Sequence, residues 1–334
     1  MREKFDKDIH IIRYFSSYVS ISEGRVIHVT NPSLAYCPLA AHLHIFFRRL
    51  RNPDKQAVRQ AIKNTIEFKI RKYGFFTGFR TLISNQVTVP YGASEMLMSA
   101  LQKHAIDASV VLCEGAGTVI TSRPEVVQGI GGRMNSLCLT SPIKGIIEKL
   151  KALGCILISD HALIDQVRGV KEAVRLGYKT IAVTVSGQMS HILSELAFLE
   201  EKHGVKIISL VVCTTGISND KISMIRDHAD LVWACASPDI RRIIGPSARM
   251  QLSKRIPVFI LTRKGMDFIA AYSDAPDLIS ALETGRQYLV SDEKKGQSIK
   301  MGRLLHYLNE TRLPVSGKRI PSFGTYKAHV CQST

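Results

Sequence analysis

Seven cysteines are scattered along the 334 residues without a single Cys-x-x-Cys pair. That removes zinc ribbons, thioredoxin-like sites and a disulfide framework, and fits reduced thiols in a cytoplasm. No apolar run approaches the roughly 18 residues that cross a bilayer, so no membrane span is expected. Met1 to Asp8 has no apolar segment after its basic start, so no secretory signal is expected either. His-Glu-x-x-His, an EF-hand loop and a Gly-x-Ser-x-Gly elbow are all missing, which weakens zinc proteases, calcium loops and α/β-hydrolases. Neither Gly115-Ala116-Gly117 nor Gly129-Ile130-Gly131-Gly132 reproduces the dinucleotide fingerprint or a P-loop with its Lys-Ser/Thr. The residues therefore name no cofactor. Internal repeats and low-complexity segments are missing too.

Acidic residues are scarce, 28 against 45 basic, for a formal charge of +17. The excess is local. Residues 48–80 carry ten basic side chains against Asp54 and Glu67, a net of +8, and residues 294–327 carry eight against Glu310, a net of +7. Two basic flanks around a near-neutral middle point to an interaction surface rather than to the central fold. The 45% apolar and 22% charged fractions are those of a globular protein, and the length suits one large or two ordinary domains.

Alternating residues predict a hairpin over 17–30, turning at Glu23-Gly24. From Lys55 to Tyr73, Val58, Ile62, Ile66 and Ile70 recur every four residues, which predicts a helix with a basic outer face that stops at Gly74. A second helix is expected over 93–104. Beyond Asp107 apolar runs predict strands at 108–113, 155–159, 179–185, 206–213, 230–235 and 257–261, with helices at about 142–153, 163–177, 189–203, 219–228 and 238–245. Continuous rather than alternating apolar strands suit a sheet covered on both faces. The expected fold class is therefore α/β, a doubly wound, mainly parallel, Rossmann-like sheet with a small α+β N-terminal region. The expected division is 1–105, 106–275 and a helical, basic extension 276–334, with helices over 277–287 and 297–309.

Ligands of open α/β sheets bind beyond the carboxyl ends of the strands, and that rule selects candidates. Glu114, directly after a buried strand and flanked by Gly115 and Gly117, could be a general base, a metal ligand or a hydroxyl-binding group. It could equally accept backbone amides in the turn. Asp160 and His161 could serve as its acid/base partners, although an Asp-His pair is often a cap or turn. Gly131, Gly132 and Arg133 could wrap a phosphate or carboxylate, with Gly129 read as the C-cap of a short helix over 123–128. Ser186, Thr214, Thr215 and Ser237 supply polar groups at the same edge. Cys113, Cys213 and Cys235 would converge there as metal candidates, although cysteine is commonly just a small buried residue. The basic helix, with Phe75, Phe76 and Phe79 beside it, could bind RNA or an acidic partner; its competing reading is a solvated face over a core stripe.

Tyr36-Cys37-Pro38-Leu39, the segment Cys113 to Val119, the segment Val127 to Arg133, Ile164-Asp165-Gln166-Val167, the segment Gly177 to Val185 and Thr214-Thr215-Gly216 occur in register and in order over about residues 25–270. Together they resemble the methanogenesis marker protein 8 family of methanogenic and methane-oxidising archaea. The resemblance implies an archaeal, cytoplasmic setting and a link to methane metabolism, with protein partners in the methane-forming machinery. It assigns no reaction, so whether the chain is an enzyme stays open. Arg168 and the basic flanks depart from the pattern. The expected function is binding of a small anionic ligand around Glu114 and Gly131–Arg133 in the biogenesis or activity of the methane-forming system. The alternative is an assembly factor or RNA binder working through its basic flanks.

Overall fold

The computed structural model describes residues 8–273, 275–280, 282–316 and 323. Strands β1 (His10–Tyr14), β2 (Ser17–Ser22) and β3 (Arg25–Val29) open the chain, followed by helices α1 (Pro38–Leu43), α2 (Ile45–Arg48), α3 (Lys55–Tyr73) and α4 (Ala93–Gln102). Next come β4 (Ala108–Cys113), β5 (Gly117–Thr121), α5 (Pro124–Gly131), β6 (Ser136–Thr140), α6 (Lys144–Ala152), β7 (Ile156–Leu157) and α7 (Gln166–Arg175). The chain continues through β8 (Thr180–Ser186), α8 (Leu193–His203), β9 (Lys206–Val212), α9 (Asn219–His228), β10 (Leu231–Trp233), α10 (Pro238–Ile243), β11 (Met250–Leu252) and β12 (Val258–Ile260). It closes with α11 (Arg263–Tyr272), α12 (Pro276–Ser280), β13 (Tyr288–Ser291), β14 (Gln297–Met301) and β15 (Leu304–Glu310).

These strands form two sheets. The smaller is antiparallel with the order β3-β2-β1-β6, so β6 reaches back from the middle of the chain to finish it. The larger has eleven strands in the order β14-β15-β13-β11-β12-β10-β9-β8-β4-β5-β7. It is mixed and mostly antiparallel: only β4–β8, β8–β9, β9–β10 and β11–β13 pair in parallel. The expected doubly wound, mainly parallel Rossmann-like sheet is therefore corrected.

The reason is local. Between Cys113 and Gly117 there are three residues, enough for a hairpin but far short of the dozen that a parallel crossover requires. Gly115 (φ 75°) and Gly117 (φ 71°) take the left-handed backbone that this turn needs, and a Cβ on Gly117 would lie 2.3 Å from the carbonyl oxygen of Leu163. The segment 297–309, expected as a helix, is likewise the hairpin β14–β15, turning at Gly302 (φ 58°). Of the helix expected over 277–287, only residues 277–280, the end of α12, are helical among those described.

Continuous apolar strands do have both faces buried, as expected. Along the sheet, Val111, Ala182, Ile208 and Leu231 face one core, whereas Val110, Ile181, Ile207 and Val232 face the other. Helices α4, α5, α6 and α11 supply Met96, Val126, Ile146 and Ile269 to the first, and α7 to α10 supply Val170, Leu196, Ile225 and Ile240 to the second. A third core packs Ile12, Val19 and Ile21 of the small sheet on Val58, Ile62 and Ile66 of α3. That helix starts where the Asp54 side chain accepts a hydrogen bond from the Ala57 amide at 2.7 Å and stops at Gly74. No helix among the described residues is long and apolar enough to cross a membrane.

Candidate functional site

The parallel run β4, β8, β9 and β10 releases its carboxyl ends at one edge, where residues of β1, α1 and α3 also come together. A cavity of about 1140 Å³ lies there. Among the residues expected at this edge, Gly131, Arg133, Ser186, Cys213 and Cys235 line it. Apolar groups such as Leu97, Val111, Val127 and Trp233 form much of the wall, and the exposed side chains of Tyr36, Leu39, Leu304 and Leu305 also border it.

Lys69 also contributes to the wall. It comes from α3 and is only 3% exposed, with its Nζ donating to the Arg133 carbonyl oxygen at 2.7 Å and to Asn135 Oδ1 at 2.7 Å. The Tyr14 ring lies 5.1 Å from the Nζ. Burial, and then the neighbouring guanidinium groups of Arg80 and Arg133, push the Lys69 ammonium down to about 7. Nearby His44 is driven to about 3 by burial and by the charges of Lys69 and Arg133. Arg133 sits in the left-handed region (φ 67°) beside the Tyr73 ring at 4.7 Å, with Nη2 donating to Gln86 Oε1 at 3.2 Å. One part of a mainly apolar cavity is thus cationic and rich in donors, and Glu95, Lys254, Arg255, Asp292 and Glu293 add charged groups elsewhere on its wall.

Glu114 is elsewhere. It is fully buried and paired with Arg80, whose Nε donates to its Oε1 at 2.5 Å. The same guanidinium donates to the carbonyl oxygens of Thr81, Gly129 (3.0 Å) and Ile130 (3.2 Å) and stacks 3.6 Å from the Phe75 ring centroid. A buried carboxylate held this way ties the β4–β5 turn to the end of α5 and does not line the cavity. Asp160 pairs with Lys151 at 2.7 Å on the exposed surface, and His161 is also exposed. Neither meets Glu114.

The other candidates have local partners. The Gly115 amide donates to Thr140 Oγ1 at 2.7 Å. Gly132 is the C-cap of α5, which runs past Gly129, so that glycine lies inside the helix. Gly131 is where α5 crosses α4, and a Cβ there would come within 2.6 Å of Ser94 Cβ. Thr214 Oγ1 donates to the Trp233 carbonyl oxygen at 2.6 Å, Thr215 Oγ1 accepts from the Ala236 amide at 3.3 Å, and Ser237 caps α10.

Cys213 (φ 58°) and Cys235 (φ 47°) share the cavity with Cys37, whereas Cys113 is buried in the core behind them. Burial pushes the Cys37 thiol up to about 11 and the Cys213 thiol up to about 12. Among the described residues no group of three or more His, Cys, Asp or Glu side chains is arranged to hold a metal ion.

On the basic helix Lys55, Arg59, Arg71 and Lys72 are exposed. Phe75 and Phe76 are buried in the core, and only Phe79, 88% exposed, stands free for contact. Residues missed by the sequence reading are Lys69, His44, Tyr14, Asn135 and Arg80. A readable signal existed for Lys69, which lies three residues past Ile66 and seven past Ile62, at the margin of the apolar stripe.

Residues 10–272 match the profile of a family described as uncharacterized protein conserved in archaea (DUF2099). The chain belongs to this family. A relative from Methanocaldococcus jannaschii, described as an uncharacterized protein, is 40% identical over 253 residues, which cover 75% of this chain and 85% of the relative. No solved structure matches the chain. The DUF2099 match takes in every motif behind the expected methanogenesis marker 8 resemblance, but its description names archaeal conservation and no pathway. It also includes the whole cationic end of the cavity and stops before β13 to β15.

Proposed function

We propose that this chain binds an organic anion with a sizeable apolar body, the anionic group meeting Arg133, Lys69 and the Ser136–Ser186 hydroxyl pair (Oγ···Oγ 3.0 Å). The observation that carries this reading is the cavity itself: about 1140 Å³ at the strand ends, with a mainly apolar wall in which Lys69 and Arg133 stand together, while Glu95, Asp292 and Glu293 also border it. Sites for small molecules are concave and mainly apolar, with a few polar groups that fix orientation. The volume favours a ligand larger than a lone phosphate or acetate.

The reading is tested with 1-anilinonaphthalene-8-sulfonate, itself an apolar body with one anionic group. The folded protein should bind it with enhanced fluorescence. Arg133→Gln, with its fold verified by circular dichroism, should weaken binding by about tenfold, since one charge-assisted contact is worth roughly 1.5 kcal/mol. Unchanged binding in that variant would reject the reading. The motif resemblance and the Methanocaldococcus relative support placing the ligand in the biogenesis or activity of the methane-forming system. In a methanogen, the same substitution in the chromosomal copy should slow growth on methanogenic substrates; wild-type growth would reject that placement.

A further inference from the structure

We infer that Lys69 is a nucleophile that forms an imine with a carbonyl-bearing organic anion, such as a 2-oxo acid or an aldehyde acid, held in the strand-end cavity. This deepens the cavity reading and rests on it.

The geometry of the amine carries the inference. A neutral lysine amine has two hydrogens and one lone pair, and Lys69 has two acceptors at 2.7 Å, the Arg133 carbonyl oxygen and Asn135 Oδ1. Both hydrogens are thereby directed, and the lone pair occupies a remaining tetrahedral position on a residue of the cavity wall. An ammonium would carry a third hydrogen. The aromatic ring of Tyr14, 5.1 Å away, offers it only a cation–π contact, and no carboxylate lies within ion-pair distance among the described residues.

The charged and titratable groups facing Lys69 come from every side. Arg80 follows α3, Arg133 follows α5, His44 separates α1 from α2, Glu114 lies in the β4–β5 turn, and Cys213 follows β9. The carboxylate of Glu114 is already paired with Arg80. What remains around the amine is cationic or neutral, and burial together with these cations holds Lys69 near 7. Desolvation beside another cation is a recognised way to keep a lysine amine nucleophilic near neutral pH. Arg133 in the same wall would meet the carboxylate of the incoming compound.

The chemistry balances without an added reagent. The Nζ lone pair forms a C–N bond to the carbonyl carbon, and the carbonyl π pair moves to oxygen. That oxygen takes a proton as the amine loses one, leaving a carbinolamine. Its hydroxyl then departs as water with the second amine proton, leaving the imine.

Glyoxylate followed by borohydride is the test, since the hydride converts an imine to a stable secondary amine that peptide mass spectrometry locates. At pH 7 and low glyoxylate, the adduct should form on Lys69 in preference to exposed lysines such as Lys55 and Lys171 by tenfold or more. Labelling of Lys69 should approach a plateau just above pH 7, while labelling of the exposed lysines keeps rising toward pH 10. Lys69→Arg, whose guanidinium cannot form the imine, should lose the adduct at this position. Labelling spread over surface lysines, with Lys69 unmodified while the dye still binds, overturns the imine and leaves the cavity reading standing. Loss of both dye binding and labelling in the wild-type protein overturns both.

Discussion

Lys69 carries the most consequential departure from ordinary side-chain behaviour in the molecule, and its effect on stability has a definite sign. In the unfolded chain a lysine keeps its proton up to about 10.4, whereas in the fold burial and two guanidinium groups release it near 7. Between those values the unfolded state binds more protons, so the contribution of Lys69 to stability rises with pH across that window. Comparing the wild-type protein with Lys69→Met by urea denaturation at intervals from pH 6 to 10 isolates it, because other groups cancel to first order. The wild-type advantage should grow by up to ~1.4 kcal/mol per pH unit above 7. A pH-independent difference would mean that the amine is charged throughout. His44 adds the same sign at lower pH, between about 3 and its ordinary value of 6.5. In the sequence Lys69 was one of ten basic residues over 48–80 and was counted with the outer face. Burial of a charge is decided by what lands opposite it, here Arg133 and Asn135 from more than sixty residues away, and no local pattern carries that. Ser186, Cys213 and Cys235 were legible because they directly follow apolar runs whose ends must leave the sheet.

At the level of elements, the existence of strands and helices was far more readable than the direction of the strands. Both-face burial produces the same continuous apolar run in a parallel and an antiparallel strand, so Val110 and Val111 could not announce which neighbour they would take. Connection length does announce it. The Gly115–Gly117 turn forces a hairpin, and giving that turn its hairpin meaning would have revealed β5 and with it the mixed sheet. The glycine-rich end of α5 shows the converse problem, a packing requirement that resembles a ligand motif. Gly131 permits α5 to cross α4, since a Cβ there would meet Ser94 Cβ at 2.6 Å. Gly131→Ala should therefore destabilise the fold by ~1–3 kcal/mol through overpacking, whatever its effect on ligand. Adding Ser94→Gly, which removes the opposing Cβ, should recover more than half of that loss in a double-mutant cycle followed by chemical denaturation. If the two changes are simply additive, the crossing is not what requires the glycine. For the same reason, a growth defect from a Gly131 variant alone would say little about ligand contacts, and Arg133 is the better probe.

Across the whole molecule, the small sheet and the large one are joined in a way that chain order conceals. Strand β6 lies between α5 and α6 in sequence, yet it pairs with β1, and the carbonyl of Ile9 accepts from the Ser141 hydroxyl at 3.0 Å to extend that seam. Lys69 and Arg80, both from the first hundred residues, bond to the segment around Gly129 to Asn135. Separating the two regions would leave β1 without its neighbour, open the apolar cavity to water, and strand the Arg80–Glu114 pair with a buried charge on each side, a change that costs ~3–5 kcal/mol per broken pair. A partly unfolded form with one region intact is therefore disfavoured, and unfolding should be cooperative despite the length of the chain. The single tryptophan makes this measurable. Trp233 ends β10 in the large sheet, is buried at the cavity wall, and donates its indole N–H to the Tyr91 carbonyl oxygen at 2.7 Å, so its fluorescence reports β10 and the cavity wall. Hydrogen exchange of amides in β1 and β2 follows the small one. Under increasing urea the two signals should share one midpoint, and Glu114→Ala, which leaves Arg80 buried and unpaired, should lower both together. Loss of protection in β1 and β2 at a clearly lower urea concentration than the fluorescence change would show that the small sheet unfolds on its own. The cavity would then be bounded on one side by an independently opening layer.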